Sequence, residues 1–184
     1  MRCGNGLANG NGLRAQGWEV HGMDIAISLL HTWKEGAGGD LKVLAVQADV
    51  HFLPYPAQVF FATCCFQSTW YFSHLGRAID EMFRVTVPRG YVIFDVMNNW
   101  NWPIFYFHVK GWVRMKGRLL KRWMLSRPTD DLVIYEEGTT PLAVARMLRG
   151  HSHSVAVYEP TSFGELRAAK WKSWRLIYVC RKPL

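Results

Sequence analysis

The feature that most constrains this chain is the alternation of apolar runs and amphipathic stretches through its first hundred residues. Trp18 to Met23 reads as a short strand ending at Asp24, and Ile25 to Trp33 has apolar residues at helical spacing. EGAGGD, residues 35–40, is a turn, and Leu41 to Ala48 reads as a buried strand followed by Asp49. Beyond a loop holding Pro54 and Pro56, Val59 to Phe66 is a third strand. Leu75 to Arg84 is a helix with Leu75, Ile79, Met82 and Phe83 on one side. Pro88-Arg89-Gly90 reads as a turn before a strand over Tyr91 to Val96. Such alternation predicts an α/β fold, with a mostly parallel sheet covered by helices in three layers.

The first twelve residues hold four glycines and read as a loop. The last third predicts a helix over Pro141 to Leu148 and a strand over Ser154 to Tyr158. A short helix is expected over Ser162 to Ala169, with Ser162 as cap and Glu165 three residues on, and a final strand over Arg175 to Cys180. A chain of 184 residues, 49% hydrophobic and 20% charged, suits a single domain over 1–184 with a real core, and the composition excludes wholesale disorder. Adjacent Cys64 and Cys65, with Cys3 and Cys180, make a poor disulfide framework, so a reducing, cytoplasmic setting is expected. The N-terminus lacks the apolar core of a secretory signal, and no run approaches the roughly 18 apolar residues that span a bilayer.

In ligand-binding sheets of this kind, the site lies beyond the carboxyl ends of the strands. Asp24 and Asp49 both follow strands. A carboxylate at Asp24 can take two hydrogen bonds from vicinal ribose hydroxyls, or it can cap the helix that begins at Ile25. Cys3-Gly4-Asn5-Gly6 supplies a turn without Cβ atoms, which allows close backbone approach to a ligand and serves equally as a structural turn.

These pieces, in this order, resemble the class I S-adenosylmethionine-dependent methyltransferases that act on small molecules. Cys3-Gly4-Asn5-Gly6 resembles the end of the family's glycine-rich turn. Gly17 and Val20-His21-Gly22-Met23-Asp24 resemble its second strand and acid. Ala48-Asp49-Val50 with Leu53-Pro54-Tyr55-Pro56 resembles the adenine-side motif, and Arg77 to Asn98 the helix, turn and strand that follow. The resemblance covers residues 3 to 98 and implies a Rossmann-like, three-layer sheet closed by an antiparallel C-terminal strand. It implies S-adenosyl-L-methionine as cofactor, with Gly4 and Gly6 at its methionine part, Asp24 on the ribose and Ile25 against the adenine. It further implies Asp49 on the adenine amine, the Val50 amide on the ring, and Phe66 lining the donor or acceptor site. The family's first strand and the acid before its glycine turn have no counterpart, so the domain is expected to be N-terminally truncated. Arg2 stands where the first glycine belongs, Phe61 where an acid belongs, and Gly10 and Gly12 where the first helix runs.

His21, His51 and His74 are candidate bases; His74, after the fourth strand of the family pattern, is the best placed of them to take a proton from an acceptor, against the stronger reading of an exposed residue that caps the next helix. His151 and His153 have metal-ligand spacing, but no neighbouring Cys or acid completes a site, so no metal is expected. Cys64, Cys65 and Cys180 read as small core residues.

Residues 99–129 form a basic aromatic insertion or lid without an acidic residue, in which Trp112 to Met124 reads as an amphipathic helix. Together with a net charge of +8, it suits a lid or homodimer surface over an acceptor pocket, an anionic membrane surface, or nucleic acid. No zinc module, RRM or KH signature supports the last. Two rivals to methyl transfer onto a small-molecule acceptor are therefore kept. One is a non-catalytic, methyltransferase-like interaction protein; the other is a membrane-surface protein.

Overall fold

A computed structural model describes residues 10–36, 43–101, 139–160, 165–170 and 173–184. Its elements follow in the order α1 (Gly10–Ala15), β1 (Val20–Asp24), α2 (Ile27–Gly36), β2 (Val43–Gln47), β3 (Phe60–Cys65), α3 (Leu75–Val85) and β4 (Thr86–Met97). After these come α4 (Pro141–Met147), β5 (Ser154–Pro160), β6 (Leu166–Ala168) and β7 (Arg175–Arg181). Gly4, Gly6, Cys3 and the expected helix over Trp112 to Met124 lie outside the described residues, as does all but the start of the 99–129 segment.

The described strands form two sheets. β1 and β2 pair in parallel, with Asp24 opposite Gln47. The larger sheet has the order β3-β4-β7-β5-β6. β3 and β4 are parallel, while β7 runs antiparallel to both β4 and β5, so β3, β4 and β5 share one direction. This is the α/β, Rossmann-like architecture with an antiparallel closing strand that the sequence predicts.

Alternation along β4 separates its two faces. Val92, Phe94 and Val96 point into the main core with Ile79, Met82 and Phe83 of α3, Val144 of α4, and Leu176, Tyr178 and Cys180 of β7. Tyr91 and Ile93 face the other way, into an apolar cavity of about 440 Å³ between β3 and β1. Across that cavity the two sheets meet through side chains: Trp18 stacks on Phe61 with centroids 6.1 Å apart, and His21 lies edge-on to Phe60 at 5.1 Å. A smaller buried cluster of Met23, Val50, Leu53, Ala78 and Val85 adds a second connection from β1 to α3.

Local signals account for several boundaries. Pro141 opens α4 behind Thr140, whose Oγ1 accepts from the Ala143 N–H at 3.1 Å. α3 matches its expected periodicity and extends one residue further, to Val85.

Three expectations are corrected. Pro88-Arg89-Gly90 is no turn: it is an irregular stretch inside β4, beside a register shift against β3. Arg89 takes the left-handed region there (φ 61°), and a Cβ on Gly90 would lie 2.6 Å from the Phe61 carbonyl oxygen. The strand therefore absorbs the turn-forming residues as a bulge. Within the expected helix over Ser162 to Ala169, Leu166–Ala168 is instead a strand on the edge of β5. Sheet pairing and the Arg167–Glu159 ion pair across it override the local capping pattern. The glycine-rich start is not loop throughout, since α1 begins at Gly10.

Gly12 sits exposed in α1, and a Cβ there would meet nothing within 4 Å. Gly12→Ala should raise stability by about 0.4–1 kcal/mol, mainly by restricting the unfolded chain. Urea unfolding of the variant beside the parent checks this as a higher midpoint at unchanged slope.

Candidate functional site

Two of the expected ligand-facing carboxylates sit at the carboxyl ends of neighbouring parallel strands. Asp24 ends β1, and its carbonyl accepts from the Ala48 N–H at 3.1 Å, which places the Asp49 turn directly beside it. The Asp24 side chain is fully buried, and its Oδ1 accepts from the Ala26 N–H at 3.0 Å at the entry to α2. The helix-entry role weighed in the sequence is thus one that Asp24 performs. Ile25 is 64% exposed beside it.

Asp49 is different: its side chain is about half exposed (45%). Its Oδ1 accepts both the backbone N–H of His51 at 2.9 Å and the His51 Nδ1–H at 2.6 Å. The backbone N–H of His51, foremost, and its ring hold the Asp49 carboxyl below its ordinary range, against a smaller opposing effect of burial. The Val50 side chain is buried in the cluster between β1 and α3.

The loop that follows is clamped to α3. Glu81 accepts from the Leu53 N–H at 2.8 Å, while Arg84 donates to the carbonyls of Tyr55 (2.8 Å) and Leu53 (3.0 Å) and to Glu81 itself. The Arg84 guanidinium beside Glu81 lowers that carboxyl, and Leu53 contributes.

On the larger sheet, Phe66 follows β3 at the rim of the apolar cavity, half-buried. That cavity touches none of Asp24, Ile25, Asp49, Val50 or His74. A separate hollow of about 450 Å³ is lined by Thr69, Phe72, Ser73, His74 and Arg77, together with Thr139 and Met147. His74 is exposed at the N-cap position of α3 and makes no side-chain capping bond. Its ring lies 6.3 Å from that of His51, which is edge-on to Phe72 at 5.8 Å.

The structure therefore gathers Asp24, Ile25, Asp49 and Val50 at the ends of β1 and β2, with His74 next to His51. Phe66 is set on the other sheet. His21 faces the apolar cavity, and His151 pairs with Asp80 at 2.9 Å. Among the described residues no group of three or more His, Cys, Asp or Glu could hold a metal ion. Burial pushes the Cys64 thiol up to about 11 and the Cys180 thiol up to about 12, far from thiolate nucleophiles near neutral pH.

Sequence reasoning missed one buried pair. Asp95, on the cavity side of β4, has no exposed surface. It forms an ion pair with Arg175 of β7 and accepts from the Gln67 N–H at 2.8 Å, while its own carbonyl takes the Thr69 hydroxyl. Burial raises its pKa, with Arg175 and the Gln67 N–H opposing. Asp95 thus ties the loop after β3, which carries Phe66 and Thr69, to the centre of the sheet. The one available signal was an acidic residue inside an otherwise apolar strand, a position that demands a partner.

Strands closed by an antiparallel last member, with carboxylates at the parallel strand ends, define a Rossmann-like α/β protein. A family model described as a methyltransferase domain matches residues 2–94. The chain belongs to that family, the class I S-adenosylmethionine-dependent methyltransferases. Among curated proteins it is 34% identical over 76 residues to the malonyl-[acyl-carrier protein] O-methyltransferase of Halorhodospira halophila. That match covers 41% of this chain and 26% of the relative, so the chain spans about a quarter of the relative's length.

Solved structures share the fold. A S-adenosylmethionine-dependent methyltransferase of Methanosarcina mazei matches with a TM-score of 0.66 at 16% identity, covering 100% of this chain and 90% of that one. The N-methyltransferase NodS of Bradyrhizobium japonicum, solved with S-adenosyl-L-homocysteine, matches at 0.52 and 12% identity, covering 89% and 66%. The [4+2]-cyclase SpnF matches at 0.63 and 16% identity, covering 100% and 74%. Such identities establish architecture, and architecture alone does not fix a reaction. Among the described residues, no helix is long and apolar enough to cross a membrane.

Proposed function

We propose that the chain binds S-adenosyl-L-methionine and transfers its methyl group to a small-molecule acceptor. The observation that supports this most is the pairing of Asp24 and Asp49 at the carboxyl ends of β1 and β2, next to the exposed Ile25. In this reading Asp24 accepts from the ribose hydroxyls, Ile25 packs on one adenine face, Asp49 accepts from the adenine amine and the Val50 N–H meets the ring. Gly4 and Gly6 take the methionine part, and Phe66 excludes water at the reacting end. Because Asp24 is fully covered, the reading requires that cover to be given up when the nucleoside enters.

When bound, the sulfonium supplies an electrophilic methyl group. The protein's own part is to orient and to handle a proton. His74, exposed beside the hollow of Thr69, Phe72 and Arg77, takes the acceptor's proton on a ring nitrogen and releases it to solvent.

Calorimetry with S-adenosyl-L-homocysteine tests the reading. Binding by the parent chain is expected, and Asp24→Ala should weaken it roughly ten- to a hundredfold, the scale of hydrogen bonds to a charged group. Absence of binding by the parent at millimolar ligand would favour a non-catalytic member of the family.

A further inference from the structure

Asp49 and His51 are joined in a way that assigning Asp49 to adenine does not use. We propose that His51 is a positioning residue that makes Asp49 selective for a six-amino purine over a six-oxo purine. The inference rests on the reading that Asp49 accepts from the adenine amine.

A free carboxylate offers two equivalent oxygens and can rotate to suit several donors. Here Oδ1 is saturated by two donors from one residue, the backbone N–H of His51 at 2.9 Å and its Nδ1–H at 2.6 Å. Both bonds together fix the plane of the carboxylate. Among the described residues no partner engages Oδ2, and the side chain is about half exposed, so Oδ2 is the acceptor left for a ligand. An adenine amine donates to such an oxygen. A six-oxo purine presents a carbonyl oxygen there, and two acceptors repel.

His51 is itself held. The Arg77 Nε–H donates to its carbonyl at 3.1 Å, and the Arg77 guanidinium lies 4.3 Å over the neighbouring Phe52 ring. Its imidazole is edge-on to both Phe72 and His74. With Nδ1–H given to Asp49, Nε2 is the buried ring nitrogen without a partner among the described residues. The imidazole thus serves as a fixed donor, preorganised by α3 before any ligand arrives.

The test compares S-adenosyl-L-homocysteine with S-inosyl-L-homocysteine by calorimetry on the whole chain. The parent should prefer the adenosyl compound, and His51→Ala should weaken its binding about tenfold while leaving the inosyl compound nearly unchanged, so that the preference collapses. His51→Asn, whose amide can still donate to Oδ1, should restore most of the preference; thermal melts of both variants report folding. A preference that survives His51→Ala overturns the proposal. Asp49→Asn separates the two ideas: if it abolishes the preference and His51→Ala does not, only the role of His51 falls. If Asp49→Asn also leaves the preference intact, or the parent binds neither compound, the assignment of Asp49 to adenine falls and the proposal with it.

Discussion

Replacing Arg175 with alanine is expected to lower the unfolding free energy by about 3–5 kcal/mol, because it strands the Asp95 carboxylate without its cation in a site closed to water. At about 2–4 °C per kcal/mol for a chain of this size, the melting temperature should drop roughly 6–20 °C. Asp95→Asn on that background should recover part of the loss, since a neutral amide still accepts from the Gln67 N–H. The pH dependence carries a definite sign. Burial raises the folded-state pKa of Asp95 above its ordinary 3.8. The stability this group contributes is therefore fully present below 3.8 and lost as pH rises through the folded value. Removing Arg175 should steepen that loss, so the gap between variant and parent should narrow on acidification. Glu81 behaves in the opposite way: Arg84 lowers it, so its contribution is present above its ordinary 4.5 and lost as pH falls through the folded value. Melts between pH 3 and 8, with Glu81→Gln as a second background, separate the two. An Arg175→Ala variant as stable as the parent at neutral pH would refute the account.

The second large effect is expected at Gly22. A Cβ there would lie 1.6 Å from Cζ3 of Trp33. Trp33 is almost fully buried, and its Nε1–H donates to Asn11 Oδ1 at 3.2 Å, so the ring is pinned from both sides. Overpacking of this kind usually costs about 1–3 kcal/mol, and Gly22→Val should reach the top of that range or beyond. Trp33→Leu should also destabilise, by leaving a void. The double variant Gly22→Val/Trp33→Leu should lose less than the two single changes combined, because the added side chain occupies the space the ring vacated. Denaturant curves for the four proteins give the coupling, and strict additivity would mean that Gly22 and Trp33 are not packed as described.

These two predictions rest on features of unequal legibility. The α3 periodicity from Leu75 to Phe83 was readable because burial on one face imposes a helical spacing. Asp24 and Asp49 were readable as strand-end acids because apolar runs stop there. Asp95 and Arg175, by contrast, are 80 positions apart and meet only through antiparallel pairing of β4 with β7. The close approach of Gly22 to Trp33 likewise depends on how α2 lies on β1. His51 could be named as a histidine near an acid, yet which atoms it gives to Asp49 is set by the turn and by Arg77 from α3. At Pro88 to Gly90, and again at Leu166 to Ala168, local residue preference pointed one way and pairing with a neighbouring strand prevailed.

The division of the described strands into a pair and a quintet bears on the proposed methyl transfer. In the proposed arrangement the nucleoside rests on the pair, at Asp24 and Asp49, whereas Phe66 and His74 ride on the quintet and its helix. Among the described residues, aromatic and aliphatic contacts together with the hydrogen bonds of Arg77, Glu81 and Arg84 to His51, Leu53 and Tyr55 join these two plates, with no strand-to-strand ladder between them. Because about 1 Å of misalignment can slow a transfer reaction a hundredfold, the hydrogen-bonded tie between residues 51–55 and α3 would set how closely donor and acceptor meet in that arrangement.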